Sequence, residues 1–180
     1  MRRLRRLLVG AVLALCCAAG ACSTSTSSQG SNRRAPEPAG ATPSTISRMV
    51  CSPKAEQELA TPLGVTATVE EPTWVDHLYS CRYVYPDGSF TLSVKELSSW
   101  KETDAYFGML GATLGNTAGA NGLGQGAFVT RDGSIVVRKD WKVLLVDIAG
   151  LPPQFGVPQT SAADVAYTVA DVIMGCWAGD

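Results

Sequence analysis

Ser80-Cys81-Arg82-Tyr83-Val84-Tyr85-Pro86-Asp87-Gly88-Ser89-Phe90-Thr91-Leu92-Ser93-Val94-Lys95 decides the fold. Two alternating apolar–polar runs flank Asp87-Gly88, and that dipeptide between such runs is a strong hairpin signal. With Asp87-Gly88 as the turn, Tyr85 faces Phe90, Tyr83 faces Leu92 and Cys81 faces Val94. These six share one side, while Arg82, Thr91, Ser93 and Lys95 take the other. Val84 is the one apolar residue among them. A slip of one residue would move every side chain to the opposite face, so this sorting identifies the buried side.

Working outward, Ser52-Pro53 supplies an N-cap and a first-turn proline. The helix that follows runs through Glu56 and Leu59 until Pro62 and Gly64 end it. Val65, Ala67 and Val69 alternate with Thr66, Thr68 and Glu70, the period of a half-buried strand. On the other side, Ser99 to Glu102 reads as a capping box. Its helix places Tyr106, Phe107, Leu110 and Leu114 on one stripe, and Gly115-Asn116 stops it. Asp132-Gly133 offers a second two-residue hairpin, joining Phe128-Val129 to Ile135-Val136-Val137. Val143 to Val146 is continuously apolar, as a strand buried on both faces would be. A last helix begins at Ser161, with Asp164 in its first turn and Val165, Val169, Val172, Ile173 and Cys176 as its inner face. The order is helix, strands, helix, strands, helix. The expected class is α+β, a largely antiparallel sheet packed by three helices.

The N-terminus reads differently. Four arginines within Met1–Arg6 precede an apolar run from Leu7 to Ala19. That is the anatomy of a secretory signal peptide, and the run falls short of the ~20 residues a membrane-spanning helix needs. Ala19-Gly20-Ala21-Cys22 has the small residues a lipoprotein signal peptidase requires before its cysteine. The expectation is a signal peptide over 1–21 and lipid attachment at Cys22. A diacylglyceryl group supplies the two chains that stable anchoring takes. From Ser23 to about Ser47 the chain is mostly Ser, Thr, Pro, Ala and Gly. Residues 22–49 are therefore expected to be a disordered tether, about 28 Å in mean span. Residues 50–180 are expected to form one domain outside the cytoplasm.

The whole chain carries 15 Lys+Arg and 16 Asp+Glu. Loss of the four leader arginines leaves 11 against 16, a net charge of −5. No basic stripe exists beyond Arg33-Arg34 and Arg138-Lys139, which argues against nucleic acid as a partner. Beyond the lipid site, three cysteines remain: Cys51, Cys81 and Cys176. Outside the cytoplasm one bridge is expected, with one thiol left over. Cys51–Cys81 is preferred because it would tie the start of the domain to the first hairpin. Cys51–Cys176 stays open as the alternative.

Reactive constellations are scarce. The single histidine, His77, follows Asp76 in an expected loop, and no Gly-x-Ser-x-Gly elbow supports a hydrolytic triad. Glu70-Glu71 and Glu96 read as solvated strand ends rather than an acid/base pair. Gly122-Leu123-Gly124-Gln125-Gly126 follows a helix and opens a strand, the reverse of a dinucleotide fingerprint. It reads as a bulge or flexible loop, with a mobile lip over a ligand pocket as the functional alternative. Cysteine and histidine spacing offers no four-ligand metal set, and no cofactor is implied. Trp74, Tyr79, Tyr83 and Tyr85 could line a groove for glycan or lipid, though core packing accounts for Tyr83 and Tyr85. Trp100, Trp141 and Trp177 sit at element edges, where exposure is expected.

The Arg-rich leader with Cys22, the Ser/Thr/Pro tether, Cys51-Ser52-Pro53 opening a helix that ends at Leu63-Gly64, Ser80-Cys81-Arg82-Tyr83 on a strand, Gly122-Leu123-Gly124 entering a strand, and the closing amphipathic helix together form a pattern. It resembles that of small actinobacterial lipoproteins of unassigned function, including domain-of-unknown-function families and the LpqN/LpqT-like group. The resemblance implies an α/β sandwich, PsbP-like in outline, with a Cys51–Cys81 bridge and no catalytic residues. The expected protein is a lipid-anchored, non-enzymatic binding module on the outer face of the cytoplasmic membrane. Its partner would be an envelope protein or a small envelope ligand. A lipid or glycolipid carrier with an apolar cavity, and a hydrolase using His77, are the alternatives.

Overall fold

The computed structural model describes residues 35–178. The expected signal peptide, Cys22 and the first part of the expected tether lie outside the described residues. The chain is α+β: helices pack on an eight-stranded antiparallel sheet. The edge consists of β1 (Thr68–Val69) and β2 (Thr73–Val75), both paired with β3 (Leu78–Tyr85). β4 (Gly88–Glu96) follows by a hairpin. The chain crosses over through α3 (Trp100–Leu110) and a π-helical turn (Gly111–Gly115) to the far edge, β5 (Ala118–Gly119). It returns through β6 (Gly126–Val129), β7 (Ile135–Lys139) and β8 (Lys142–Asp147), which pairs with β4 in the middle of the sheet. A small ribbon of β9 (Gln154–Phe155) and β10 (Thr160–Ser161) leads into α4 (Ala162–Ala178).

The six residues expected on one side of the hairpin, Cys81, Tyr83, Tyr85, Phe90, Leu92 and Val94, are all buried there. The register differs from expectation by two residues. Tyr83 pairs with Phe90 and Cys81 with Leu92, so the two turn residues are Pro86 and Asp87. Proline fixes φ near −65° and excludes the positive φ of a primed turn, so Pro86 starts an ordinary turn instead. Because the shift is even, the buried face is unchanged. Gly88 is then a strand residue, and it is glycine for want of room: a Cβ would lie 2.7 Å from the Gly150 carbonyl oxygen. The Asp132-Gly133 hairpin also forms, with a three-residue loop from Arg131 to Gly133. Thr130 N–H donates to Ser134 O at 2.8 Å, and Gly133 supplies φ +88°.

α2 (Pro53–Leu63) and α4 cover one face of the sheet. Leu59, Leu63, Val165, Val169, Ile173 and their sheet partners make the main core. The α4 stripe is broader than expected: Ala166, Ala170, Met174 and Trp177 are buried as well. Trp177 is only 5% exposed, against expectation, and Cys176 is half-buried. α3 covers the other face through Tyr106, Phe107 and Leu110, packed on Phe128, Val136 and Val143. β8 lies between the two layers, which is why Val143 to Val146 is apolar at every position.

The tether boundary at residue 49 is also corrected. α1 (Thr45–Met49) is helical, capped by Ser44, and its Ser47 is fully buried. Ala39 N–H donates to Leu97 O at 3.1 Å. The composition did not signal this order; polar contacts of Ser44, Ser47 and the backbone of Ala39 to Ala41, with Ile46 and Met49 packed on the core, produce it.

Candidate functional site

The edge formed by β1 and β2 contains a break. Thr68 pairs with Val84 and Val69 with Tyr83, which puts Glu70 opposite Arg82. Thr73 pairs with Ser80. Glu71 and Pro72 therefore both stand against Cys81, a β-bulge at the sheet edge. Proline has no N–H to give the ladder, and an edge bulge is one of the few places that tolerates this.

Cys81 is bonded to Cys51, with sulfurs 2.09 Å apart and Cα atoms 5.9 Å apart. Cys51 directly precedes Ser52, the N-cap of α2, whose side chain accepts from Ala55 N–H at 3.2 Å. The bridge thus holds the first turn of α2 beside the bulged edge. Between them lies an open groove of about 410 Å³, lined by Pro53 and Glu56 of the helix and by Val69, Glu70, Glu71 and Pro72 of the edge. An adjoining hollow of about 300 Å³ shares Pro53 and Glu56 and extends to Gln57 and Ala60.

Glu56 and Glu71 line this groove without a basic residue beside them in its lining, while Glu70, which also borders it, shares a rung and so a sheet face with Arg82. The nearby cations are engaged elsewhere. Arg82 donates through Nε and Nη2 to Ser89 Oγ at 3.0 and 2.8 Å. Lys54 approaches Glu58 at 3.8 Å, and Arg48 donates to Pro43 O at 2.6 Å. Beneath the groove, burial raises the phenol pKa of Tyr85, and the Glu56 carboxylate adds to the effect. Burial likewise raises that of Tyr83, whose hydroxyl donates to Val50 O at 2.7 Å.

The sequence candidates fall elsewhere. Asp76 and His77 form the β2–β3 turn, with φ of 50° and 59°. His77 Nδ1 lies 3.0 Å from Gly40 O, and its ring meets Trp74 edge-on at 5.7 Å. Trp74 Nε1 donates to Ala41 O at 3.0 Å. These residues hold residues 39–41 down on the end of the sheet. Glu96 is not a solvated strand end: it is 3% exposed and accepts from Ser44 N–H at 2.8 Å and from the Ser47 hydroxyl. Glu70 and Glu96 cannot act as a pair. Glu70 shares a rung with Arg82 and Thr91, and Glu96 lies five residues further along β4, about 17 Å at strand rise. Paired glycosidic carboxylates sit within about 10 Å.

The Gly122–Gly126 loop is pinned rather than free. Leu123 is buried, Gln125 N–H donates to Arg138 O at 2.9 Å, and a Cβ on Gly124 would lie 2.7 Å from that same oxygen. Cys176 donates its thiol proton to Glu58 Oε2. Burial, then the Glu58 carboxylate, pushes its pKa up to about 11. Tyr83 and Tyr85 are core residues, and Trp74 pairs across strands with Tyr79, so the four aromatics do not form a ligand groove. Among the described residues, no group of three His, Cys, Asp or Glu is placed to hold a metal ion, and no helix is long and apolar enough to cross a membrane.

Sequence reasoning missed the groove. The clue available was a change of phase: the inward set is even-spaced to Val69 and resumes at Trp74, one residue out of step, around Glu71-Pro72. Compared with known protein families, characterised proteins and solved structures, the chain matches none of them.

Proposed function

We propose that this chain is a cell-envelope lipoprotein, anchored through Cys22, whose folded domain binds an envelope protein on the outer side of the cytoplasmic membrane. The observation that carries the reading is the groove between α2 and the bulged sheet edge, an open, acidic cleft held in place by a disulfide. A disulfide in the body of the domain suits an oxidising compartment, in keeping with the leader read in residues 1–21 and the resemblance to small envelope lipoproteins. Binding rather than catalysis accounts best for the polar groups, because His77 and Glu96 are occupied in holding the chain's own residues 39–47. Protein is favoured over lipid as ligand because side chains fill the space between the sheet and α2/α4; Val50, Leu59, Tyr83 and Ile173 there are at most 1% exposed.

Two measurements on the native protein test this reading. Detergent-phase partitioning should place the wild type with membranes and release Cys22→Ser as precursor or to the medium. Cross-linking on intact cells should capture a protein partner. Recovery from the cytosol with Cys51 and Cys81 as thiols, or capture of no protein, would overturn it.

A further inference from the structure

The β1 edge has backbone groups that nothing in the described residues uses. Glu70 N–H donates to Arg82 O at 2.9 Å, so Glu70 and Arg82 form a hydrogen-bonded pair. Pairs of this kind alternate along an antiparallel ladder. Thr68 with Val84 is therefore the next bonded pair, and Val69, between them, points its N–H and C=O away from β3. They open into the groove, whose opposite wall is the first turn of α2. A cleft between an edge strand and a helix is where an extended peptide can join a sheet, with main-chain bonds giving affinity and flanking side chains giving selectivity.

Charge identifies the occupant. A second copy of this chain would bring its own Glu71 to a cleft that already holds Glu56 and Glu71, adding like charge rather than neutralising it. Glu56 and Glu71, with no cation in the lining, call for the opposite sign. We propose that the groove takes an extended segment of a partner protein carrying Lys or Arg at alternate positions, added as a strand outside β1. Its backbone bonds Val69, and its cations, on the face toward α2, meet Glu56 and Glu71. This deepens the protein-binding reading and rests on it.

The probe is an acetylated, amidated (Thr-Lys)4 peptide titrated into the full mature chain in detergent micelles, with (Thr-Glu)4 as its counterpart. The expected result is saturable binding of the lysine peptide alone, with hydrogen exchange at the Val69 amide slowed at least tenfold. Val69→Pro removes the outward N–H without touching the β3 ladder and should weaken binding at least tenfold. Glu56→Lys with Glu71→Lys should abolish it. No saturable binding, unchanged exchange at Val69, equal binding of both peptides, or dimerisation of the chain through this edge would each overturn the proposal. Should Val69→Pro fail to fold, exchange at Val69 in the wild type decides alone. A partner captured in cells through positions remote from Thr68–Pro72 would sink this inference and leave the broader reading standing. Capture of no partner at all would sink both.

Discussion

Glu96 shows how one side chain can set a domain boundary. Its carboxylate is buried and accepts from Ser44 N–H and Ser47 Oγ, so removing it leaves both donors unmet. A hydrogen bond to a charged group contributes about 1.5–3 kcal/mol. Glu96→Ala should lower unfolding stability by about 2–3 kcal/mol in urea titration, and limited proteolysis should then cut within residues 39–49. Glu96→Gln, which keeps an acceptor oxygen, should lose less. Asp132 gives a pH signature. Burial alone would raise its pKa, but hydrogen bonds from Thr130 Oγ1 and from the backbone and hydroxyl of Ser134 outweigh that and lower it. A lowered folded-state pKa means stability present above the ordinary carboxylate range and lost as pH falls through the folded value. Unfolding midpoints measured from pH 6 down to pH 2 should decline less steeply in Asp132→Asn. Cys176 is the converse case. With its pKa near about 11, the thiol is protonated at pH 8, and alkylation by iodoacetamide there should be much slower in the folded chain than in urea.

Turns carry the lessons at the level of elements. The α2 terminus was legible because glycine alone suits its left-handed cap: Gly64 has φ +65°, and a Cβ would lie 2.0 Å from Val157 O. Gly64→Ala should therefore cost more than ~2 kcal/mol by thermal unfolding, beyond the 1–2 kcal/mol of left-handed backbone alone. Caps at Ser52 and Ser99, the existence of the two hairpins and the apolar stripe of α3 were legible from local pattern, while the turn residues of both hairpins were not, since Pro86 shifts the first turn and the second loop has three residues. The turns at Asp76-His77 and Asp140-Trp141 were not legible either. Each has two positive φ values, the primed geometry that suits a tight hairpin, yet neither contains glycine or asparagine. Strand pairing imposes that conformation on Trp141, whose carbonyl accepts from Leu97 N–H at 2.9 Å. The groove was illegible for a further reason. It depends on how Cys51, Pro53 and the Glu71-Pro72 bulge meet in space, and no spacing in the sequence encodes a helix start lying beside a sheet edge.

For the molecule as a whole, the disulfide and the central pairing matter most. Non-reducing peptide mapping should recover Cys51 with Cys81 and Cys176 as a free thiol. Reduction should lower stability by about 3–4 kcal/mol for a loop of this length, read as a drop in urea midpoint, while Cys176→Ser should keep the bridge intact. The sheet itself is two meanders, β1 to β4 and β5 to β8, sewn together along six rungs from Thr91 with Asp147 to Glu96 with Lys142. Those rungs join stretches roughly fifty residues apart in the chain. Each meander can zip up from its own hairpins, but the seam must wait for a long loop to close, and non-local pairing of that kind slows folding relative to a chain of local contacts. Until that loop closes, the facing edges of β4 and β8 stand bare, each a row of unpaired backbone groups open to pairing with another chain.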